Sequence, residues 1–132
     1  MSKVLKIATL AACGALLALP ANAATQWVLV SHTADGQEEF VNPASITDAG
    51  RGIRGFRART VYSAQERFNG KRVVLSEATS QVNCITNEKR ELQIVLWFTD
   101  GNRHSDNSLG AWYRAMPGSL AAAIIRFVCA RR

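Results

Sequence analysis

From Glu91 to Phe98 the chain alternates. Leu92, Ile94, Leu96 and Phe98 fall on one side, and Glu91, Gln93, Val95 and Trp97 fall on the other. A period of two marks a strand whose two faces meet different surroundings. The first set reads as core. Val95 and Trp97 imply that part of the second face is covered as well. The same period runs through residues 53–63, with Phe56, Ala58, Thr60 and Tyr62 on one face and Arg57, Arg59 and Val61 on the other. Residues 26–31, 72–84 and 89–99 are strands by composition. Residues 39–42 read as a short strand stopped by Pro43, whose ring fixes φ and removes a donor. Turn signals separate these runs at residues 34–37, 42–45, 50–52, Asn69-Gly70 and 100–102.

Beyond Pro117-Gly118 the period changes. Ser119 is a natural N-cap, and Leu120, Ile124, Phe127 and Val128 recur at three- and four-residue spacing, which predicts an amphipathic helix over residues 120–130. Arg131 and Arg132 suit the negative end of its dipole. A less regular polar stretch leads into Ala111-Trp112-Tyr113. With 132 residues and no repeats or linkers, the chain holds one domain. The expected architecture is α+β: a small antiparallel β-sheet of about five to six strands with one C-terminal helix packed on it.

The first residues stand apart from that domain. Lys3 and Lys6 precede an uncharged apolar run over residues 7–20, and Ala21-Asn22-Ala23 follows. This is the layout of a secretory signal peptide with an A-x-A cleavage site, too short to span a bilayer. Residues 1–23 are therefore expected to be removed, leaving a mature domain over 24–132. Leu10-Ala11-Ala12-Cys13 offers a competing lipoprotein-type cut. It would leave a greasy mature start and an apolar core shorter than the ~7–15 residues usual for a signal.

Export changes how the cysteines and charges read. Cys13 leaves with the signal, and Cys84 and Cys129 remain as an even pair in an oxidising compartment. A disulfide between them would close the loop from 84 to 129, worth roughly 4 kcal/mol on a chain-entropy argument. Two free thiols or a metal site are the alternatives, and a metal would find only His32 and His104 as further ligands. Removing Lys3 and Lys6 from the 16 basic residues leaves 14 against 10 acidic ones, a net +4. Such a balance favours anionic partners without specifying one.

A series of landmarks resembles the surface-adhesin protein E family of Gram-negative bacteria. They are Trp27, then Phe40-Val41-Asn42-Pro43-Ala44-Ser45-Ile46 with Gly50 after it, Asn83-Cys84, Trp112 with Pro117-Gly118-Ser119, and the closing Cys129. Asn stands at 42 and 83 where the family usually has Asp, and Phe56 where a Trp is common. The resemblance implies an antiparallel sheet with a C-terminal helix, and export to the periplasm or outer-membrane surface. It also implies adhesion to host matrix or serum proteins such as vitronectin and laminin. The matching landmarks are those that build the fold, so no host-binding residue is carried over.

Within the domain, basic residues crowd between 51 and 72. Arg51, Arg57, Arg59, Lys71 and Arg72 are the candidate ligand-binding set, suited to anionic glycans, acidic protein segments or phosphates. A solvated sheet face guarded by cations accounts for the same pattern. Nucleic acid is disfavoured, because no aromatics interleave with these charges. Trp27, Trp97, Trp112 and Tyr113 read as core, with Trp112-Tyr113 lining a groove between helix and sheet as the alternative. His104-Ser105-Asp106 is contiguous, and contiguous residues do not converge into a triad. No enzyme, cofactor or metal site is expected. The sequence supports an exported, non-catalytic binding or adhesion module, with a periplasmic accessory subunit of an envelope complex as the alternative. Intact-mass spectrometry of the exported protein should find an unmodified N-terminus at Ala24; an acylated Cys13 would establish the lipoprotein cut instead.

Overall fold

The structure, a computed structural model, describes residues 26–131. The expected signal segment and Cys13 lie outside the described residues. Eight strands and one helix follow in order: β1 (Val28–His32), β2 (Glu38–Gly50), β3 (Ile53–Val61), β4 (Arg67–Phe68), β5 (Lys71–Asn83), β6 (Glu88–Phe98), β7 (Arg103–Asp106), β8 (Tyr113–Arg114) and α1 (Leu120–Cys129). The main sheet runs β1-β2-β3-β5-β6-β7, and the two-residue β4 and β8 attach to β5 and β6. Every pairing is antiparallel. The α+β reading with a single C-terminal helix is what the chain adopts.

Hairpin turns set the registers. Asn69 and Gly70 both take positive φ, 50° and 78°, the conformation that joins twisted strands through a two-residue loop. Arg51 and Gly52 do the same between β2 and β3, at 57° and 77°. A Cβ at Gly52 would also lie 2.7 Å from the Ile85 side chain. Ile85 is exposed and can give way, so it is the positive φ that favours glycine there.

Helix α1 covers one face of the sheet. Ser119 caps it, its Oγ accepting from the Ala122 N–H at 3.2 Å. Ile124, Ile125 and Val128 are buried against Val41, Phe56, Ala58, Val82 and Ala115. Ile125 thus takes the place that the sequence pattern gives to Leu120, which is only half-buried. The far end of the helix is pinned twice. Cys129 is bonded to Cys84, with Cα atoms 5.7 Å apart. Arg54 donates to the Val128 and Cys129 carbonyls at 2.8 and 3.3 Å, and also bonds to the Arg131 carbonyl, so a cation sits at the negative end of the helix.

Bulges account for most departures from the sequence pattern. Pro43 does not stop β2. Between the pairs Asn42↔Arg57 and Thr47↔Gly55, β2 carries extra residues, and Pro43 sits where the ladder asks for no donor. Local bonds rebuild the interruption. Asn42 Oδ1 accepts from the Ala44 N–H at 3.0 Å, Ser45 Oγ donates to the Asn42 carbonyl at 2.6 Å, and Ser45 Oγ accepts from the Arg57 N–H at 2.8 Å. The stretch read as irregular contains β7 and β8, whose strands are too short to show a period.

A second bulge falls at Leu92. Thr79 pairs with Gln93 but Ser80 with Glu91, so Leu92 has no partner and the alternation inverts there. Lys89 and Glu91, not Leu92, share the helix-side face with Ile94 and Leu96. The bulge thus turns Lys89 inward, and Glu39 of β2 is buried on the same side. Lys89 is only 6% exposed, paired with Glu91 and 3.4 Å from the Tyr113 hydroxyl. Burial alone would depress its pKa; Glu91 and Tyr113 outweigh that and hold it above the ordinary lysine value. Glu39 is 7% exposed and accepts from the Thr60 hydroxyl at 2.8 Å. Burial pushes its carboxyl up, against smaller opposing effects from Thr60 and Lys89.

The sign of that shift fixes a pH dependence. A carboxyl bound more tightly to its proton when folded favours the fold while protonated. The contribution is complete below the ordinary glutamate value of 4.5 and is lost as pH rises through the folded pKa. Glu39→Gln should therefore raise the melting temperature at pH 7 and leave it near wild type below pH 4; thermal melts across that range check this. Cys84→Ser should cost about 2–5 kcal/mol. At about 4–8 °C per kcal/mol for a domain near this size, that lowers the melting temperature by roughly 10 °C or more.

Candidate binding surface

The face opposite α1 is built by register. A single row crosses all six strands of the main sheet: Leu29, Phe40, Arg59, Glu77, Val95 and Ser105. The neighbouring row holds Val61, Leu75, Trp97 and Arg103. No second layer packs on these residues among those described; the helix reaches β1, β2, β3, β5 and β6 from the other side. The expected cover over Val95 and Trp97 is therefore lateral. Their own neighbours in the sheet leave them half-buried.

Arg57 and Arg59 do share this face, and Glu77 stands between them. Arg57 Nη2 lies 3.2 Å from Glu77 Oε2, and Arg59 Nε lies 3.1 Å from Glu77 Oε1. One carboxylate serves two guanidinium groups, so one positive charge remains over. Trp27 holds Arg59 from above, its ring centroid 4.4 Å from the guanidinium carbon. The Arg57 side chain is 55% exposed and the Arg59 side chain 33%. Exposed pairs of this sort contribute about 0–1 kcal/mol each, so their charges are held in place at small gain to the fold.

The other candidates lie elsewhere. Arg51 is at the exposed tip of the β2–β3 hairpin. Lys71 and Arg72 begin β5, whose far end Asn83 pairs with Ile53 beside Arg51. At about 3.3 Å per residue that separates them from Arg51 by roughly 40 Å. Lys71 is paired with Asp100 at 3.5 Å, and Arg72 lies exposed opposite Arg67. A run that is continuous in sequence is thus divided among the two ends and the middle of the sheet.

Two features escape a reading of the sequence. Arg90 joins the open face, with its Nε donating to Gln81 Oε1 at 2.9 Å and its guanidinium 4.5 Å from the Trp112 ring. Unbroken alternation places Arg90 on the core side; the Leu92 bulge moves it. The tryptophans themselves are not core. Trp27, Trp97 and Trp112 are all half-buried, and two of them serve as platforms for arginine. Nor does Trp112-Tyr113 line the groove beside the helix, which is bordered by Cys84, Ala115, Pro117 and Arg126. In β7, Ser105 pairs with Val95 on the open face, while His104 and Asp106 pair with Leu96 and Ile94 on the other. Among the described residues no group of three or more His, Cys, Asp and Glu could hold a metal.

The arrangement offers planar cation donors and aromatic faces on a shallow surface, which suits carboxylate, sulfate or phosphate groups. The family profile of surface-adhesin protein E matches residues 27–130. The fold is similar to solved structures of Haemophilus influenzae protein E. One aligns with a TM-score of 0.55 at 14% identity, covering 79% of this chain and 83% of that one. A second crystal form gives 0.52 at 13% identity, over 70% and 80%. Protein E from a non-typeable strain gives 0.52 at 11%, over 79% and 75%. No curated protein matches the chain in sequence.

Proposed function

This chain belongs to the surface-adhesin protein E family, and from that premise we propose that it is an exported, non-catalytic adhesion module whose open sheet face binds an anionic extracellular partner. Residues 1–23 serve as its export signal, and the mature domain is displayed at the outer-membrane surface. The partner is a sulfated glycan or an acidic segment of a host matrix or serum protein. The family is one of surface adhesins and not of enzymes. None of the described helices is long and apolar enough to cross a membrane.

One observation carries the reading: Arg57 and Arg59 share a single carboxylate, with Trp27 stacked on one of them, on a face that no described helix or strand covers. A ligand anion that displaces Glu77 from either guanidinium exchanges one charge-assisted bond for another. The barrier to engagement is correspondingly low. Binding of this kind weakens with salt, since exposed charges beyond about 8 Å are screened at physiological ionic strength.

The double variant Arg57→Gln, Arg59→Gln tests it. Loss of both pairs and of the Trp27 contact should cost about 1–2 kcal/mol, leaving a folded protein. Retention on immobilised heparin should fall, with elution at markedly lower salt. Unchanged elution from the folded variant would remove this face from the binding reaction. Protease shaving of intact cells should digest the wild-type protein, and complete protection would place it in the periplasm.

A further inference from the structure

The open face carries a second arginine site, and the register fixes where it lies relative to the first. Glu77, Thr79 and Gln81 are successive outward positions on β5. Glu77 has Arg59 of β3 and Val95 of β6 beside it, Thr79 has Arg57 and Gln93, and Gln81 has Gly55 and Arg90. Arginine therefore changes from one side of β5 to the other, and the three cations run diagonally across the sheet. Arg59 bonds to Glu77 and Arg90 donates to Gln81 Oε1 at 2.9 Å, so both lean onto residues four apart on β5. Four residues span about 13 Å and two strand spacings about 10 Å, which sets the two guanidinium groups about 13–16 Å apart. Each is seated on a tryptophan: Trp27 lies 4.4 Å from Arg59 and Trp112 lies 4.5 Å from Arg90.

The two ends carry the same surplus although their partners differ. Glu77 serves both Arg57 and Arg59 and leaves one positive charge over. Arg90 is held by a neutral amide and a neutral ring and makes no ion pair among the described residues, so its whole charge is left over. Glu88, the next outward residue of β6, is matched in register by Arg114 of β8. Between the ends stand Thr79 and the exposed Gln93, which are uncharged and both donate and accept. In an extension of the adhesion reading that also rests on it, we propose that the two tryptophan-backed ends form one two-point site for a linear sulfated glycan. One anionic group of the chain sits at each end, and the sugar hydroxyls between them meet Thr79, Gln81 and Gln93. A peptide fits this surface less well. The strands beneath are hydrogen-bonded on both sides, so an extended chain lying on them finds no ladder for its own N–H and C=O groups. A glycan brings no such backbone.

Calorimetric titration of the exported protein with heparin-derived oligosaccharides of defined length tests the two-point site. A disaccharide reaches one end only, and a hexasaccharide reaches both. Joining two contacts in one ligand makes the second intramolecular, so the hexasaccharide should bind at least about tenfold more tightly at equal ionic strength. Arg90→Gln should bring the two ligands to within about twofold of each other, while the disaccharide still binds at Arg57 and Arg59. Gln93→Glu, at an exposed position, keeps both ends and sets a carboxylate between them. It should remove the same advantage, and it decides the matter if Arg90→Gln does not fold. A hexasaccharide advantage that survives in Gln93→Glu and in any folded Arg90→Gln would overturn the two-point site and leave the adhesion reading of Arg57 and Arg59 intact. A polyglutamate peptide of similar length binding as tightly as the hexasaccharide would overturn the choice of a glycan. Failure of every length to bind, with heparin elution unchanged in the Arg57, Arg59 double variant, would remove the adhesion reading together with this one.

Discussion

The pinning of one helix end to one edge of the sheet is the constraint on which the remaining architecture depends. Cys129 is bonded to Cys84 at the end of β5, and Arg54 on β3 donates to the last carbonyls of α1. A ten-residue helix has little stability of its own in water. Fixed at its C-terminus and capped by Ser119, it is held over Phe56, Ala58 and Val82, and the buried core forms there. The helix is short and the sheet is broad. One face is therefore left uncovered by any described helix, and the far end of the other face is left with cavities.

Much of this was legible in the sequence, and the illegible part has a physical cause. Alternation through residues 53–63 set Phe56 and Ala58 on one face and Arg57 and Arg59 on the other, and the first face is the one buried in the fold. Asn69-Gly70, Ser119 and the cysteine pair each announced a local structure that the chain adopts. A bulge leaves no such mark, because it is one residue more on one strand than on its partner, and the partner is distant in sequence. Leu92 looks like any core leucine, yet it inverts the faces of Lys89, Arg90 and Glu91. Pro43 looks like a strand terminator, yet Asn42 and Ser45 supply from their side chains the bonds that the ladder loses.

The candidate surface suffered most from this, since it depends on face assignments made across five strands. Arg51, Lys71 and Arg72 are near Arg57 and Arg59 in sequence and far from them in space. Arg90 is far in sequence and shares their face. The tryptophans were misread for a related reason: a large ring buries apolar area on an open sheet as well as in a core when an arginine lies on it. The fold also separates its charges by role. Lys89, Glu91 and Glu39 are inside and tie their energetics to packing. Arg57, Arg59 and Glu77 are outside, loosely committed, and available for exchange.

That available face is the central claim, and arginine-selective modification with phenylglyoxal, read by mass spectrometry, tests it most directly. With a heparin oligosaccharide bound, the account predicts that Arg57, Arg59 and Arg90 lose reactivity while Arg126, exposed on the helix, keeps it. Protection of Arg126 with Arg57 and Arg59 still reactive would contradict it.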